Sequence, residues 1–318
     1  MAFRYAIMGA AQIANKFCNA VSYIKDCEVV AVSSKSLERA KDFAERNNIK
    51  QYFDSYEKML VEVKPDCVYI AVTQNAHKEL ADLCLKYKTP ILCEKAMFLT
   101  EADAVDFFTR AEKAGVFTME AMWSRFLPAQ VKAKEWIDSG KIGEVKFIKA
   151  SIGWKGPNNM SNRFFNPALG GGAMYDLTVY CYELSDFLIN KPVLDIKSQI
   201  LKAPTGVDMV DSVTVMYDGA ISQMSATFIF PMDETMTIYG TEGKIEIPKI
   251  HFAEEALLYD VNKKLVEHFI DTKTPNGFMY EAQEAMECVK KGKLESDRVP
   301  HSLTINCAKF FDEILKQN

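Results

Sequence analysis

Residues 5–14 read YAIMGAAQIA, and this stretch decides the fold. The apolar residues 5–8 predict a short buried strand, Gly9 lets the chain turn tightly, and a helical pattern begins at Gln12. Turns that bind a dinucleotide carry glycine at the first and third positions and glycine or alanine at the sixth. Here those positions are Gly9, Ala11 and Ala14. The stretch predicts a dinucleotide site if the pyrophosphate lies slightly further out on the helix N-terminus, and a purely structural turn is the alternative.

Outward from this stretch, the first third of the chain alternates apolar runs with helical patterns. Continuous apolar runs are typical of strands buried on both faces, and helices between them imply that the strands are parallel. We therefore predict an α/β fold with a doubly wound parallel sheet over residues 1–120. The predicted strands are 5–8, 29–32, 51–53, 67–71, 90–93 and 116–119, and the predicted helices are 12–21, 37–46, 78–86 and 101–114.

The pattern changes after residue 120. Residues 193–268 hold short β-rich runs split by proline and glycine, with almost no helical pattern between them, which predicts one mostly antiparallel sheet. Residues 121–318 are therefore predicted to form an α+β domain. The predicted strands are 144–154, 213–217, 223–230, 235–239 and 244–247, the predicted helices are 129–139, 173–189, 279–290 and 302–316, and a loop is predicted over 155–169.

Composition narrows the classes of protein that fit. The 318 residues include 38 Lys and Arg against 43 Asp and Glu, a net charge of −5, so no nucleic acid partner is predicted. No apolar run approaches the roughly 20 residues that span a bilayer, and no secretory signal pattern is present, so no membrane association is predicted. The eight cysteines include no Cys-X-X-Cys pair and mostly have apolar neighbours. They predict buried thiols in a cytoplasmic protein, with disulfides or a metal site as alternatives.

The segment after the second predicted strand favours a phosphorylated dinucleotide. An NAD-specific site usually carries Asp or Glu there, which accepts a hydrogen bond from the ribose 2′-hydroxyl. This chain has Ser33, Ser34 and Lys35, with Arg39 one helical turn further on. Because hydroxyls and cations suit a 2′-phosphate, we predict NADP(H), with NAD(H) as the alternative. Helix capping by Ser34 or Ser36 beside a solvated lysine would explain the same residues without a ligand.

Several ordered motifs give the chain a family resemblance. Glu94-Lys95-Ala96 follows the fifth predicted strand and resembles the Glu-Lys-Pro motif of the Gfo/Idh/MocA oxidoreductases. Segments 120–126 and 206–208 are most similar to the branch that holds dimeric dihydrodiol dehydrogenase and NADP-dependent D-xylose dehydrogenase. Further matches run through nearly the whole chain, at 36–40, 69–73 with His77, 143–145, 170–172 with Asp176, and 240–243.

The resemblance implies an N-terminal Rossmann domain, a C-terminal domain whose open sheet forms the interface of a homodimer or homotetramer, and an active site between the domains. It implies hydride transfer between a nicotinamide and a secondary alcohol or carbonyl of a sugar, polyol or cyclic trans-diol. Two other classes stay open: a glycosidase that uses bound NAD in a transient redox cycle, and a non-catalytic nucleotide-binding sensor. No metal is implied.

Two positions depart from the common pattern of the family. Ala96 stands where the family has a proline that is often joined by a cis peptide bond. Tyr180 stands where many sugar-oxidising members carry histidine, although the dihydrodiol-type branch resembles this chain in having tyrosine. The first departure leaves the geometry of the loop open.

Three side chains are predicted, under this resemblance, to carry the chemistry. Lys95 follows the fifth strand, where open α/β sheets bind ligands, and Asp176 and Tyr180 lie one helical turn apart. Tyr180 is predicted to exchange the hydroxyl proton and Lys95 to lower the tyrosine pKa and bind the substrate oxygen. Asp176 is predicted to orient the substrate or Lys95. The alternatives are a surface lysine, a packed aromatic ring and a carboxylate near a helix N-terminus.

The remaining predicted residues bind the cofactor or line the substrate pocket. The resemblance places the loop that ends at His77 beside the nicotinamide ribose, and Glu94 either touches the ribose or pairs with a lysine. The predicted cofactor-binding residues are Gly9, Ala11, Gln12, Ile13, Ser33, Ser34, Lys35, Arg39, Thr73, Asn75, His77, Glu94 and Lys95, and the predicted substrate-binding residues are Trp123, Arg125, Asp176 and Tyr180.

Overall fold

A computed structural model describes residues 2–157 and 159–318, so Asn158, in the predicted loop 155–169, lies outside the described residues. The chain forms two compact units. The first unit runs through Trp123 and takes in Pro275–Ala308, and the second comprises Ser124–Thr274 and Lys309–Asn318. The second-domain range predicted from sequence, 121–318, therefore differs from the observed units, because residues 275–308 return to the first unit.

The first unit contains a parallel six-stranded sheet, as the alternating pattern predicted. Its strand order is β3-β2-β1-β4-β5-β6, so the direction of winding reverses between β1 and β4. The strands are β1 Phe3–Met8, β2 Cys27–Ser33, β3 Gln51–Phe53, β4 Cys67–Ile70, β5 Ile91–Glu94 and β6 Thr118–Ala121. The helices are α1 Gln12–Val21, α2 Leu37–Arg46, α3 Tyr56–Val63, α4 His77–Lys86 and α5 Glu101–Ala114. The short helix α3 was not predicted.

The apolar runs form strands because both faces of this sheet are covered. Every residue of β4 and β5 is buried, and the core between the sheet and α3, α4 and α5 includes Met8, Ile70 and Phe107. Ligands of such sheets bind at the carboxyl ends of the strands, at the point where the winding reverses.

The second unit contains an eight-stranded sheet in the order β14-β13-β12-β11-β7-β10-β9-β8. Only β7 and β10 pair in parallel, so the prediction of a mostly antiparallel sheet is confirmed. The strands are β7 Val145–Gly153, β8 Val193–Lys202, β9 Asp208–Tyr217, β10 Ala220–Thr227, β11 Met232–Gly240, β12 Gly243–Pro248, β13 Glu255–Asp260 and β14 Leu265–Ile270. The four predicted runs of 213–247 correspond to β9–β12.

The helices of the second half of the chain are α6 Pro128–Asp138, α7 Val179–Ile189, α8 Phe278–Lys290 and α9 His301–Gln317. Helix α8 packs on α1 within the first unit. The predicted helix 173–189 is corrected at its start, because Met174–Thr178 is π-helical and α7 begins only at Val179. π-Helical turns carry one extra residue and occur often at functional sites.

Candidate active site

The turn after β1 lies very close to the backbone that follows β4. Gly9 has φ +109°, and a Cβ at this position would lie 2.1 Å from the carbonyl oxygen of Ala71, which follows β4. Helix α1 then begins with no side-chain cap at Ala11 and no acid in its first turn. Because the first amides of a helix attract anions, the backbone at Gln12 and Ile13 fits a pyrophosphate at the point where the winding reverses.

The segment after β2 presents two exposed cations beside buried hydroxyls. Ser33 and Ser34 are buried, whereas Lys35 and Arg39 are exposed at the start of α2. The Ser36 hydroxyl accepts a hydrogen bond from the Arg39 amide at 3.3 Å, and the Ser34 hydroxyl accepts one from the Ser36 amide at 3.4 Å. The capping interpretation therefore explains Ser36, while the positions of Lys35 and Arg39 fit a 2′-phosphate.

His77, the first residue of α4, links two loops at the carboxyl edge of the sheet. Its Nδ1 lies 2.9 Å from the carbonyl oxygen of Ala96, and its Nε2 lies 3.2 Å from that of Val72. The ring is buried, and burial lowers the pKa of His77 to about 4. A neutral imidazole carries one N–H, so it donates to only one of these two carbonyls while its ring lies between the loop after β5 and the loop after β4. In the loop after β4, Thr73 donates a hydrogen bond to Asn75 at 2.7 Å.

The loop that carries Lys95 is held firmly. Lys95 is half-buried after β5, and the Lys95–Ala96 peptide bond is cis although Ala96 is not a proline. The Met97 amide donates a hydrogen bond at 2.8 Å to Oε1 of Glu120, and Oε2 of the same carboxylate accepts one at 2.8 Å from Thr304 of α9. Together with His77, these contacts fix the backbone on which Lys95 stands.

Next to Glu94 lies a second buried carboxyl group, that of Glu281, which no motif signalled. Glu94 accepts a hydrogen bond from the hydroxyl of Tyr69. Glu281 of α8 is fully buried, and within the described part of the chain its carboxyl oxygens have no hydrogen-bond partner. Burial, reinforced by the charge of Glu94, raises the pKa of Glu281 well above its usual range and so favours its protonated form.

The predicted substrate residues Trp123 and Arg125 are both engaged in packing. Trp123 stacks on Phe278, with ring centroids 4.6 Å apart. Arg125 is buried in the second unit, where its Nη1 lies 3.2 Å from the carbonyl oxygen and 3.5 Å from the carboxylate of Glu183, and its guanidinium lies 4.7 Å from the ring centre of Phe187. These contacts give Arg125 a part in holding α7, and its contact with substrate stays a prediction.

Asp176 and Tyr180 lie together in the second unit, where the π-helical stretch passes into α7. The Asp176 side chain is 16% exposed, and its Oδ2 lies 3.7 Å from Nη2 of Arg163. Tyr180 is 8% exposed, and its ring centre lies 5.2 Å from that of His251. Both side chains therefore reach the surface of this unit while most of their area is packed.

Sequence patterns did not predict two residues that lie beside Tyr180 and Asp176, namely His251 and Arg163. His251 follows β12, and its Nδ1 lies 3.6 Å from a carboxylate oxygen of Glu234. Arg163, beside Asp176, stands in the predicted loop. Neither belongs to a local motif, so only the chain path brings them to Asp176 and Tyr180.

The described residues contain no group of three or more His, Cys, Asp or Glu arranged to hold a metal ion. Among them, no helix is both long enough and apolar enough to cross a bilayer. All eight cysteines are free thiols, and six of them are buried.

Comparison with known families agrees with these features. Residues 3–122 match the model of an oxidoreductase family with an NAD-binding Rossmann fold, and residues 131–246 match the GFO/IDH/MocA C-terminal domain. The chain belongs to the Gfo/Idh/MocA family of oxidoreductases. The resemblance drawn from the motifs is thereby confirmed, and this Gfo/Idh/MocA protein is an NAD(P)-binding oxidoreductase.

Relatives cover the chain from end to end. The trans-1,2-dihydrobenzene-1,2-diol dehydrogenase of Xenopus tropicalis is 31% identical over 330 residues, which cover 100% of this chain and 98% of the relative. The NADP⁺-dependent scyllo-inositol 2-dehydrogenase of Bacillus subtilis is 31% identical over 325 residues, which cover 99% and 96%. The solved aldose–aldose oxidoreductase of Caulobacter crescentus superimposes with a TM-score of 0.90 at 18% identity, over 100% of this chain and 97% of that one, which shows the fold.

Proposed function

We propose that this Gfo/Idh/MocA protein is an NADP(H)-preferring dehydrogenase or reductase that acts on a secondary alcohol or carbonyl of a sugar, polyol or cyclic trans-diol. The observation that carries the proposal is Lys95 at the carboxyl end of β5, on the same sheet edge as the Gly9 turn and the uncapped N-terminus of α1. The names of the relatives, a diol dehydrogenase and an inositol dehydrogenase, support this substrate class.

Each predicted residue has a defined task in this reaction. The bound nicotinamide supplies the hydride acceptor or donor. Tyr180 exchanges the proton of the substrate hydroxyl, and the ammonium of Lys95 stabilises negative charge on oxygen and binds the substrate oxygen. Asp176 orients the substrate or Lys95. The amides at the start of α1 bind pyrophosphate, and Lys35 and Arg39 bind the 2′-phosphate.

A substrate panel tests the proposal. The absorbance of the reduced nicotinamide is followed with NADP⁺ or NAD⁺ against sugars, polyols and cyclic diols, and in reverse with the matching carbonyls. Turnover that is faster at low NADP⁺ than at low NAD⁺ supports the proposal. Glycoside cleavage without net reduction, or cofactor binding without any turnover, contradicts it and points to the two alternative classes.

We also propose a homodimer or homotetramer formed through the open face of the eight-stranded sheet. The register aligns Met216, Ile221, Phe147 and Tyr239 across β9, β10, β7 and β11. Met216 and Tyr239 are exposed, and Ile221 and Phe147 are half-buried. An apolar row with polar rows beside it fits a subunit interface.

We infer a cytoplasmic location from the thiols. Eight free cysteines, none of them paired, fit a reducing compartment. Cell fractionation with an antibody against the native protein tests this inference, and recovery in a secreted fraction would contradict it.

A further inference from the structure

Two buried carboxyl groups on β9 lie against the π-helical stretch that carries Asp176. Asp208 is 5% exposed and Asp211 is 0% exposed. The backbone amide of Met174 donates a hydrogen bond to Asp208 Oδ2 at 2.5 Å, and the hydroxyl of Thr178 donates one to Asp211 Oδ2 at 2.5 Å. The first and last residues of Met174–Thr178 are therefore both bound by these aspartates, which we call the carboxyl clamp.

The approach of Asp208 to this stretch also depends on a glycine. Gly172 has φ +125°, and a Cβ at this position would lie 2.2 Å from Asp208 Oδ1. Any other residue would push the carboxylate away from the amides of Ala173 and Met174, to which it is bonded. The clamp therefore contacts the stretch at both ends: Asp208 lies at its start and Asp211 at its end.

The buried surroundings of the clamp stabilise one negative charge on the two aspartates better than they stabilise two. Burial and the charge of Asp208 raise the pKa of Asp211, and the two carboxyl groups lie within hydrogen-bond reach of each other. The titratable groups that face the pair are Tyr175 and Cys181, and next to them are Asp312 and Glu234. None of these four groups is a cation, and His251, which can become one, lies against Glu234, so a second charge on the pair is not offset within this set.

We propose that Asp208 and Asp211 are positioning residues that share one proton and fix the Met174–Thr178 stretch, so that Asp176 within it and Tyr180 after it keep their reactive orientation. This inference rests on the proposed function, since it takes those two side chains as the reacting groups. Asp208 is the carboxylate because it accepts from backbone amides, and Asp211 carries the proton. When that proton is lost at alkaline pH, two like charges repel in a buried place and loosen the stretch.

Conservative variants separate this role from general stability. Asp211→Asn keeps an acceptor for Thr178 and a donor towards Asp208, so we expect kcat at neutral pH within about twofold of wild type. Asp208→Asn removes the negative charge that accepts hydrogen bonds from the backbone amides, so the stretch is held less firmly. We therefore expect kcat to fall about tenfold or more, with the KM for NADP⁺ unchanged. Asp218→Asn, at an exposed aspartate in the turn after β9, is the matched control.

The pH profile supplies a readout that a purely structural role would not change. We expect wild-type kcat to decline at alkaline pH earlier than kcat of Asp211→Asn, because only the wild type loses a proton from the clamp. Every other titrating group is common to both proteins, so the difference between their profiles reports the clamp alone. Identical alkaline profiles, or wild-type kcat in Asp208→Asn, would overturn the proposal.

Hydrogen exchange of residues 172–180, followed by mass spectrometry on the full-length protein, needs no substrate. Relative to Asp218→Asn, we expect exchange there to accelerate in Asp208→Asn, and in wild type to accelerate at alkaline pH more than in Asp211→Asn. If this pattern appears in a protein without turnover on any substrate, the proposed function fails while the clamp stands. Unchanged exchange in Asp208→Asn contradicts the clamp itself.

Discussion

Lys95 and Tyr180 are the side chains on which the proposed chemistry depends most. Lys95→Met removes the ammonium, and Tyr180→Phe removes only the phenolic oxygen. We expect each change to lower kcat by about 100-fold or more, as loss of an acid–base or electrostatic group does, with binding of NADP⁺ nearly unchanged. Steady-state kinetics and cofactor titration measure both effects.

Exposed residues of the same types provide the controls, namely Lys113→Met and Tyr23→Phe. Neither control is expected to change kcat. Near-wild-type kcat in Lys95→Met or in Tyr180→Phe would remove that residue from the mechanism.

In the proposed function, Lys35 and Arg39 decide which dinucleotide is preferred. A 2′-phosphate gains charge-assisted hydrogen bonds from both side chains, whereas a 2′-hydroxyl gains little. We therefore expect Lys35→Ala combined with Arg39→Ala to raise the KM for NADP⁺ by about tenfold or more and to leave the KM for NAD⁺ nearly unchanged. Lys41→Ala, exposed on the same helix, is the control. A wild-type protein with a lower KM for NAD⁺ than for NADP⁺ contradicts the assignment.

We expect His77 to make the free energy of unfolding depend on pH in the acid range. Its pKa falls from 6.5 to about 4 on burial, so between these values the unfolded chain binds a proton that the folded chain does not. The stability contributed by neutral His77 is complete above pH 6.5 and is lost as the pH falls towards 4, by up to about 3 kcal/mol. Urea unfolding between these pH values should show a shallower loss in His77→Gln than in wild type. A slope in His77→Gln equal to that of wild type would refute the effect.

The turn between β1 and α1 is the element on which the proposed cofactor binding depends. Gly9→Ala places a methyl group against the Ala71 carbonyl at a backbone angle that alanine avoids. We expect a loss of about 3 kcal/mol or more in the free energy of unfolding, together with loss of NADP⁺ binding. Gly115→Ala is the matched control, because Gly115 also has a positive φ but a Cβ there meets nothing within 4 Å. Equal losses of stability in both variants would show that backbone angle alone, and not the approach to Ala71, sets the requirement.

The elements differ in how well the sequence predicted them. Helices α1 and α5 begin and end where their apolar spacing predicts, because each covers the sheet with one regular face. The π-helical stretch was missed, since it is bound by Asp208 and Asp211, which lie 34 and 33 residues away from their partners in the chain. A local pattern cannot report a contact of that kind.

The apolar row on the open sheet face determines the proposed assembly. Phe147→Glu places a charge in the middle of the row between Ile221 and Tyr239. Because a buried unpaired charge is costly, we expect the oligomer to dissociate, which light scattering coupled to size-exclusion chromatography measures. Tyr23→Glu, at an exposed tyrosine of the first unit, should leave the mass unchanged. An unchanged oligomer in Phe147→Glu would place the interface elsewhere.

The division of the chain into two units shows which features of the fold local sequence patterns predict and which they do not. A change from alternating strands and helices to β-rich runs marks the end of the first sheet near residue 120. The return of α8 to the first unit is set by its packing on α1, and nothing in the local sequence of α8 signals that partner.

The sequence by itself determined the two sheet types, the Gly9 turn and the candidate residues Lys95, Asp176 and Tyr180, because periodicity, glycine spacing and ordered motifs are local properties of the chain. Only the tertiary structure decided that Glu281 lies buried beside Glu94 and that His251 packs beside Tyr180. It also decided that Asp208 and Asp211 bind the stretch that contains Asp176. These neighbours are far apart along the chain, and the protonation states that follow depend on burial, which exists only once the chain has folded.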